Sequence, residues 1–520
     1  MGARLQAVAS RASHPFERST ARFEAVRDFA GSGDAEAMTQ SELERELEER
    51  VRELKRQLLQ DHLEKRRGGR ALEPVIDASL RERPVERLHE RTVRTTFGPV
   101  SVPRFGYGAS GVESLHPLDG ELNLPPDGYS LELRRQLARE AARGSFDEAI
   151  EAINERTGVL VPKRQAEDLA VRAAEDFDEY YAAKQALETL EPAAKEPVLV
   201  LSLDGKGIVM RPEDLREATR KKAEAREPHL TARLAPGEKP HAKRMATVAT
   251  IYSVDRHLRT PQDVFPPPGP RRTPPLPRPA PVNKRVWATV EQEVEDVVDA
   301  MFLEAESRDP QHALEWVAVL DGNAQQIRLV TQAAKKARVN VTVLLDIIHV
   351  LEYVWAAGLA LNPADRPATE RWVLSHMHDI LSGRASLVAA GMRRSATRRK
   401  LPQDERRAVD KAADYLLNHK AFLRYDRALA SGYPIASGAI EGACRHLVNS
   451  RLNRSGARWS LDGAEAILRL RSLVKSGDFD DYWTFHEARE RERNHLDRYA
   501  EHRLPRIDTP SARPTLRRIK

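Results

Sequence analysis

One apolar run in the middle of the chain constrains the fold more than any other feature. Residues 198–203 are apolar except for Ser202, and Asp204 follows them, with Gly205 and Gly207 close behind. A short apolar run bounded by glycine is typical of a buried central strand. We therefore predict a core strand that ends at or near Asp204, where a carboxylate is costly unless a positive charge meets it.

A second run of the same kind lies further along the chain. Residues 316–320 are apolar and are followed by Asp321 and Gly322, and Glu441 lies near the start of a predicted helix. Strand ends and a helix start can meet at one edge of a sheet. An aspartate followed by glycine is more often a plain turn, so that interpretation stays open beside the functional one.

Three carboxylates at one edge favour a divalent metal site. An all-oxygen ligand set suits Mg²⁺ or Mn²⁺, and two such ions can activate water or a 3′-hydroxyl at a phosphodiester. We therefore predict Asp204, Asp321 and Glu441 as metal ligands and catalytic residues, with Lys206 contacting phosphate.

The other patterns predict an α/β core with added helices. Ten prolines within 261–281 predict an extended loop between strands, with an SH3-type ligand as the alternative. The predicted elements are a strand at 245–254, a strand passing into a helix at 339–358, and helices at 287–306, 327–337, throughout 362–433 and from Ser437, which we expect to cap its helix.

The N-terminal region is predicted to be mainly helical. Apolar residues at spacings of three and four predict a helix over 38–66, either a coiled-coil dimerisation element or a helix packed on its own core. Alternating threonine and valine around Gly98 predict a β-hairpin at 88–106.

Residues 130–181 predict three helices interrupted at Gly144 and Gly158, with Ser145 as the cap of the second. Short helices with tight turns fit a helix-turn-helix whose recognition helix follows Pro162, and a plain helical bundle is the alternative. Lys163 and Arg164 are the predicted DNA contacts of that helix.

Charge clustering points to a polyanionic partner. The chain has 84 basic and 78 acidic residues, and basic clusters lie at 206–244, 393–407, 445–458 and 513–520. Solvated helix faces are the alternative explanation for each cluster. The predicted DNA contacts in the third cluster are Arg445, Arg451, Arg454 and Arg458.

Cysteine content and hydropathy restrict the cellular compartment that we expect for the protein. The chain has one cysteine, Cys444, which excludes an intrachain disulfide and a CxxC zinc site. No apolar run reaches membrane-spanning length, and no signal peptide is recognised. We expect a cytoplasmic protein with no membrane contact, and we interpret Cys444 as a packed thiol.

Three further features have two interpretations each. Asp346 and His349 form a D-x-x-H that favours a structural hydrogen bond over metal binding. Trp355 and Trp459 fit core positions better than base stacking.

Seven segments together resemble the transposases of bacterial ISKra-type insertion sequences. The similarity covers about residues 90–500 and is densest at 204–221, 238–248, 304–310, 319–323, 346–355, 434–448 and 455–473. This family is similar in motif layout to Mutator-like enzymes with a DDE nuclease domain of RNase H-like fold.

The resemblance implies specific roles. Asp204 and Asp321 would be the two aspartates and Glu441 the glutamate, while Asp346 and His349 match the C/D-x-x-H signature of that group. The proline-rich segment 261–281 departs from the family pattern as an elongated loop.

We therefore expect an α/β RNase H-like catalytic core with a helical insertion, plus an N-terminal mainly helical DNA-binding region with a small β-hairpin. The expected domains are an N-terminal helical region with a possible dimerisation helix (1–87), a β-hairpin and helix-turn-helix-like DNA-binding domain (88–190), the first part of the core (195–354), a helical insertion (355–432), the closing core helices (433–490) and a basic tail (491–520).

The expected function is a metal-dependent DDE transposase. It would bind the terminal inverted repeats of its element as a homo-oligomer, cut double-stranded DNA and join it to a target with Mg²⁺ or Mn²⁺. The alternatives are an inactive or domesticated DNA-binding protein, another RNase H-like nuclease such as a junction resolvase, and a structural helical adaptor.

Overall fold

A computed structural model describes residues 15–187, 197–225, 242–266, 277–363, 365–454 and 456–508. The chain forms two compact units. The first unit comprises residues 1–176 and 480–520, and the second comprises residues 177–479. The chain therefore completes the second unit before it returns to the first.

The described residues form eight strands and a larger number of helices. The strands are β1 (Val85–Thr95), β2 (Gly98–Ala109), β3 (Val112–Leu115), β4 (Pro197–Val209), β5 (Lys243–Asp255), β6 (Val282–Thr289), β7 (Glu315–Leu320) and β8 (Val341–Leu345). The helices up to the last strand are α1 (Glu17–Ala30), α2 (Gly33–Glu36), α3 (Gln40–Lys65), α4 (Pro117–Glu121), α5 (Leu131–Arg143), α6 (Phe146–Thr157), α7 (Lys163–Arg172), α8 (Phe177–Leu187), α9 (Glu217–Glu224), α10 (Pro261–Val264), α11 (Val294–Arg308) and α12 (Ala324–Ala337). Those after it are α13 (Ile347–Leu361), α14 (Arg366–Leu381), α15 (Ala385–Arg398), α16 (Gln403–Asn418), α17 (Tyr425–Ala430), α18 (Gly438–Ala443), α19 (Ser450–Leu452), α20 (Leu461–Ser476) and α21 (Phe479–Asn494), with a π-helical turn at Cys444–Asn449.

The first unit contains an antiparallel sheet in the order β1-β2-β3. The predicted hairpin is confirmed, and its turn is formed by Thr96 and Phe97, directly before β2. The predicted long helix is also confirmed as α3, where Thr39 and Glu42 form a capping box. Dimerisation through this helix stays a prediction.

The helical part of the first unit follows its glycines. Helix α5 ends before Gly144, and Ser145 caps α6 by accepting a hydrogen bond from the Glu148 backbone N–H at 3.1 Å. Gly158 ends α6 with a left-handed backbone at φ +69°, a conformation that glycine adopts without strain. The predicted helix after Pro162 is confirmed as α7, which begins at Lys163.

A buried ion-pair network explains why the last helix belongs to the first unit. Asp176 accepts hydrogen bonds from Arg493 at 2.6 and 2.8 Å and lies 2.5 Å from Nδ1 of His486. Burial raises the pKa of Asp176, but Arg493 and His486 outweigh it and lower that pKa to about 2. Helix α21 is thereby fixed to the end of the first unit's opening segment.

The second unit is built on a mixed five-stranded sheet in the order β6-β5-β4-β7-β8. Strand β5 is antiparallel to both of its neighbours, β4 and β6, whereas β7 and β8 run parallel to β4. The protein is therefore a mixed α/β protein, as expected. The side chains of residues 198–203 are all buried, which confirms the predicted central strand.

The end of that strand was predicted wrongly. β4 continues past Asp204 to Val209, because β5 pairs with it along its whole length, from Asp255 opposite Pro197 to Lys243 opposite Val209. Asp204 therefore lies inside a strand, at the point where the buried run ends.

The predicted helix at 287–306 is wrong in its first part. Val286, Trp287 and Ala288 are buried in β6, which pairs with β5, and α11 begins only at Val294. Valine and tryptophan favour a half-buried pleated surface, and the partner strand that selects this conformation is distant in sequence.

The proline-rich loop is more structured at its start than predicted. Pro261–Val264 forms the one-turn helix α10, with Pro261 in its first turn, a position that proline tolerates. Residues 267–276 of the segment lie outside the described residues.

The other predicted elements are confirmed. They are the strand at 245–254 as β5, the run at 316–320 as β7, the strand-to-helix passage as β8 and α13, the helix at 327–337 as α12, and helices throughout 362–433. Within the part of the chain that the structure describes, no helix combines the length and apolarity needed to cross a membrane.

A buried carboxylate ties the edge strand β6 to α11. Glu304 accepts hydrogen bonds from Arg285 of β6, from Arg308 at 2.6 and 2.9 Å, and from Gln185 at 2.8 Å. Burial raises the pKa of Glu304, but the two arginines outweigh it and lower that pKa to about 2. The ionised carboxylate is thus the form that the folded protein stabilises.

We expect Glu304→Gln to lower the free energy of unfolding at neutral pH by about 3 kcal/mol, because it leaves two buried arginines without their anion. The folded-state pKa lies below the ordinary value of 4.5, so this contribution is present above pH 4.5 and is lost as pH falls towards 2. Urea unfolding followed by circular dichroism at several pH values measures both effects. The control is Glu295→Gln at an exposed position of the same helix. Equal stability of the two variants at neutral pH would contradict this role for Glu304.

Candidate active site

Strand register brings Asp204 and Asp321 to the same level of the sheet. β4 and β7 are parallel, with Val198 opposite Glu315 and Leu201 opposite Ala318. The same register carried three residues further places Asp321 opposite Asp204. Both side chains are partly exposed. Two carboxylates from distant parts of the chain are therefore placed at the same level of the sheet, Asp204 within β4 and Asp321 directly after β7.

The next strand adds a third aspartate to this row. β7 and β8 are parallel, with Leu320 opposite Leu345, so Asp346 follows at the level of Asp321. Asp346 is completely buried, and its Oδ1 accepts a hydrogen bond from the Ile348 backbone N–H at 2.8 Å. Its environment separates it from the two partly exposed aspartates.

Asp204 is held by two side chains. Nζ of Lys206 lies 2.8 Å from its Oδ2, and the Cys444 thiol donates a hydrogen bond to the same oxygen at 3.3 Å. Cys444 follows α18, the helix that carries Glu441. The thiol thus connects the glutamate's helix directly to the first aspartate.

The charges at this point change the proton affinity of both partners. Burial raises the pKa of the Cys444 thiol, and the negative charges of Asp204 and Glu441 raise it further. Burial lowers the pKa of Lys206, but its hydrogen bond to Asp204 and the charges of Asp204 and Asp321 raise it overall. The thiol is therefore kept protonated as a donor, and Lys206 is kept charged.

Glu441 is exposed on α18, and the start of this helix differs from the prediction. The Ser437 side chain does not cap the helix but donates its hydroxyl to Oδ2 of Asp346. Only the backbone carbonyl of Ser437 serves the helix, accepting from the Glu441 N–H at 3.0 Å. The sequence predicted that the Ser437 side chain would bond within its own helix, whereas in the structure it bonds to Asp346, which is distant in sequence.

The chemistry of the donors fits a divalent cation. Asp204 and Asp321 are oxygen donors at one level of the sheet, the ligand type that hard divalent cations prefer, and the ammonium group of Lys206 pairs with Oδ2 of Asp204. In the described ranges, no three or more His, Cys, Asp or Glu side chains form a group that could hold one ion. A third ligand would have to come from movement of a side chain such as Glu441.

The loop that carries Asp321 is held in place by side chains at the end of α16. Asp321 Oδ1 accepts from the Asn323 N–H at 2.8 Å, and its backbone carbonyl accepts from the Tyr415 hydroxyl at 2.9 Å. His419 lies 3.1 Å from the carbonyl oxygen of Gly322. Gly322 itself has φ +96°, and a Cβ there would lie 2.7 Å from the Tyr415 oxygen. This helical region therefore fixes the position of Asp321.

The predicted basic residues divide by exposure. Lys163 and Arg164 are exposed at the start of α7 in the first unit, where Lys163 pairs with Asp147 at 2.7 Å. In the second unit Arg445, Arg454 and Arg458 are exposed.

Arg451 does not fit the predicted DNA-binding role. It is buried, and its guanidinium lies 4.7 Å from the ring centre of Trp459. The charge of this arginine is used inside the fold, so we exclude it from the phosphate contacts. Trp459 is itself a core residue whose indole N–H donates to the Leu452 carbonyl at 3.0 Å.

The D-x-x-H pair is not a single hydrogen-bonded unit in the structure. Asp346 bonds to Ile348 and Ser437, whereas Nδ1 of His349 lies 3.5 Å from Glu352. The structural interpretation therefore applies to Asp346, but with different partners.

Sequence reasoning missed three residues of this site. Cys444 contacts Asp204, Tyr415 holds the Asp321 loop, and Ser437 bonds to Asp346. The spacing from Glu441 to Cys444 is one helical turn and was the one available signal, since residues three apart share a helix face.

No model of a known protein family matches this sequence, and no curated protein matches it either.

Gly322→Ala is expected to lower the free energy of unfolding by about 1–3 kcal/mol, because it combines an unfavourable positive φ with a clash against Tyr415. The control is Gly391→Ala in α15, where the added methyl group meets no atom within 4 Å. This variant should be stabilised by up to about 1 kcal/mol through helix propensity. Thermal and urea unfolding compare the two, and a Gly322→Ala protein as stable as the wild type would contradict the clamp on the Asp321 loop.

Proposed function

We propose that this protein is a DDE transposase, which binds the ends of an insertion sequence and catalyses DNA strand cleavage and strand transfer. One observation carries the proposal. Asp204 and Asp321 reach the same level of neighbouring parallel strands, and the helix with Glu441 is tied to Asp204 through Cys444. These are the three residues that the resemblance to ISKra-type transposases implies.

The sheet supports an RNase H-like core as part of this proposal. Asp204 lies in β4, the central strand of a mixed five-stranded sheet, and Asp321 follows directly after the neighbouring strand β7. Helix α12 follows β7 and helix α13 follows β8. A long helical region, α14 to α17, separates α13 from α18 in sequence. A catalytic sheet interrupted by a helical insertion is the organisation that the resemblance implies.

The three carboxylates have a common task in this scheme. Asp204, Asp321 and Glu441 would hold divalent ions, which when bound supply activation of water or a 3′-hydroxyl and stabilisation of the leaving oxygen. Lys206 would bind a phosphate oxygen beside the carboxylates. It is charged and lies next to Asp204.

The proposed enzyme would catalyse two reactions, each at a phosphodiester bond of DNA. Hydrolysis breaks one P–O bond at the element end and leaves a 3′-hydroxyl and a 5′-phosphate. In strand transfer this 3′-hydroxyl attacks a target phosphodiester, so that one P–O bond forms as another breaks and a target 3′-hydroxyl is released. The scheme would require no general base from the chain, because the divalent ions held by these carboxylates would lower the pKa of the attacking water or hydroxyl.

DNA contacts would come from both units. The exposed Lys163 and Arg164 begin α7, the predicted recognition helix, whose first residues would face base edges. The exposed Arg445, Arg454 and Arg458 lie in the chain on either side of α19, close in sequence to Cys444, and would contact backbone phosphates. Because two element ends must be held together, the active form would be a homo-oligomer.

A DNA-binding protein that does not cut is the second candidate. It is favoured by one observation, that no described group of three ligand side chains is assembled around one point. Cleavage therefore separates the two functions.

We expect the purified protein to nick a labelled duplex of the element end in Mg²⁺ or Mn²⁺. Asp204→Asn, Asp321→Asn and Glu441→Gln should each reduce the cleavage rate at least about a hundredfold while DNA binding is kept or improved, because each removes one negative charge. Glu213→Gln, at an exposed position after β4, is the control and should cut normally. Cutting that survives in all three variants would show that other residues catalyse it, and binding without cutting by the wild type would favour the second candidate.

We expect DNA affinity to fall steeply with salt, with a slope that depends on the exposed arginines. Replacing Arg445, Arg454 and Arg458 together by alanine should lower the slope of log K against log salt by roughly 2 to 3, at about 0.9 for each phosphate that the variant no longer neutralises. Arg371→Ala, at an exposed position in α14, should leave the slope unchanged. Fluorescence anisotropy over a salt series measures it, and equal slopes for all proteins would place the DNA elsewhere.

A further inference from the structure

Asp346 lies in the same row as the two proposed ligands but is used differently. It has no exposed surface. Its Oδ1 accepts from the Ile348 N–H, and its Oδ2 accepts from both the N–H and the hydroxyl of Ser437. A buried carboxylate needs hydrogen bonds from the protein to offset its lost contacts with water. The two oxygens of Asp346 thus accept hydrogen bonds from the protein around them and are not exposed to solvent.

The backbone next to Asp346 holds the same segment. The Ile347 N–H donates to the Ile435 carbonyl at 2.9 Å, and the Asp346 N–H donates to the Leu320 carbonyl at 2.7 Å. The end of β8 is thereby bonded on one side to β7 and on the other to the chain that enters α18. The segment at 435–437 cannot shift without breaking these bonds.

Ser437 transmits this constraint into the helix with Glu441. Its backbone carbonyl accepts from the Ile440 N–H at 2.8 Å and from the Glu441 N–H at 3.0 Å. One turn later Cys444 donates to Asp204. A continuous series of hydrogen bonds therefore runs from Asp346 through Ser437 and α18 to the first aspartate.

We propose that Asp346 is a positioning residue, whose bond to Ser437 fixes α18 so that Glu441 can complete the metal site with Asp204 and Asp321. The inference rests on the proposed function for its consequence, but the bond itself acts on α18 whether or not the protein cuts DNA. A carboxylate is required because both of its oxygens accept hydrogen bonds here, whereas asparagine has only one acceptor oxygen and would turn an N–H donor toward another donor.

The single cysteine of the chain provides a direct probe of this arrangement. Cys444 is 1 % exposed and lies against Asp204, so its labelling by a maleimide under native conditions requires α18 and the following turn to open. The labelling rate thus reports the docking of α18 without any reference to activity.

The test uses both sides of the bond. The variants are Ser437→Ala, Asp346→Asn and the double variant, and the control is Ser382→Ala, which removes a hydroxyl that bonds only locally to the His378 carbonyl. We expect each single variant to raise the labelling rate about tenfold, as for the loss of a hydrogen bond to a charged group. The double variant should label no faster than the faster single variant, because both changes break one interaction.

A second measurement connects docking to the site. The Mg²⁺ or Mn²⁺ concentration for half-maximal cleavage should rise in Ser437→Ala and Asp346→Asn, with unchanged DNA affinity and an unchanged rate at saturating metal. A general loss of stability would lower the saturated rate instead.

The outcomes separate the two proposals. Labelling at the wild-type rate in both single variants, or fully multiplicative effects in the double variant, would overturn the role of Asp346. Faster labelling in the variants of a protein that never cuts DNA would leave the positioning role standing and remove the proposed function. Faster labelling with an unchanged metal requirement would show that α18 is held by Asp346 but that this docking does not set the metal site.

Discussion

The parallel pairing of β4, β7 and β8 is the constraint on which the rest of this site depends. The two registers place Asp204 of β4, Asp321 after β7 and Asp346 after β8 at one level of the sheet. Carboxylates that are partly or wholly withdrawn from water need hydrogen-bond or ion-pair partners. The surrounding structure must therefore supply a different partner to each of them.

Each of the three aspartates has a different environment and different partners. Asp204 meets Lys206 and the Cys444 thiol, and Asp321 accepts from the helix start that follows it. Asp346 is withdrawn from solvent and bonded to Ser437. Three chemically identical side chains thus become two accessible oxygen donors and one internal support, which is the distinction that a cation site at this edge would need.

The helical region after β8 is part of the same arrangement and not a separate attachment. Tyr415 and His419 hold the Asp321–Gly322 loop from one side, and the Tyr425 hydroxyl donates to the Leu345 carbonyl at the end of β8 at 2.9 Å. Each contact fixes the backbone beside an aspartate. The precision of the carboxylate row therefore depends on residues far away in sequence, and changes in this helical region would be felt at the sheet edge.

Sequence alone determined the local features of this protein, since these depend on periodicity and on residues close together along the chain. The buried run before Asp204, the helix α3, the cap at Ser145 and the strand-to-helix passage at Asp346 were all predictable for this reason. Tertiary structure decided what depends on partners brought from a distance. β5 carries β4 past Asp204, β6 takes Trp287 from a predicted helix, and Trp459 draws Arg451 away from the surface. The Ser437 hydroxyl donates to Asp346 and does not cap its own helix, because tertiary structure brings this buried carboxylate within hydrogen-bond distance. Local preference is a matter of fractions of a kcal/mol, and burial with a charged partner outweighs it.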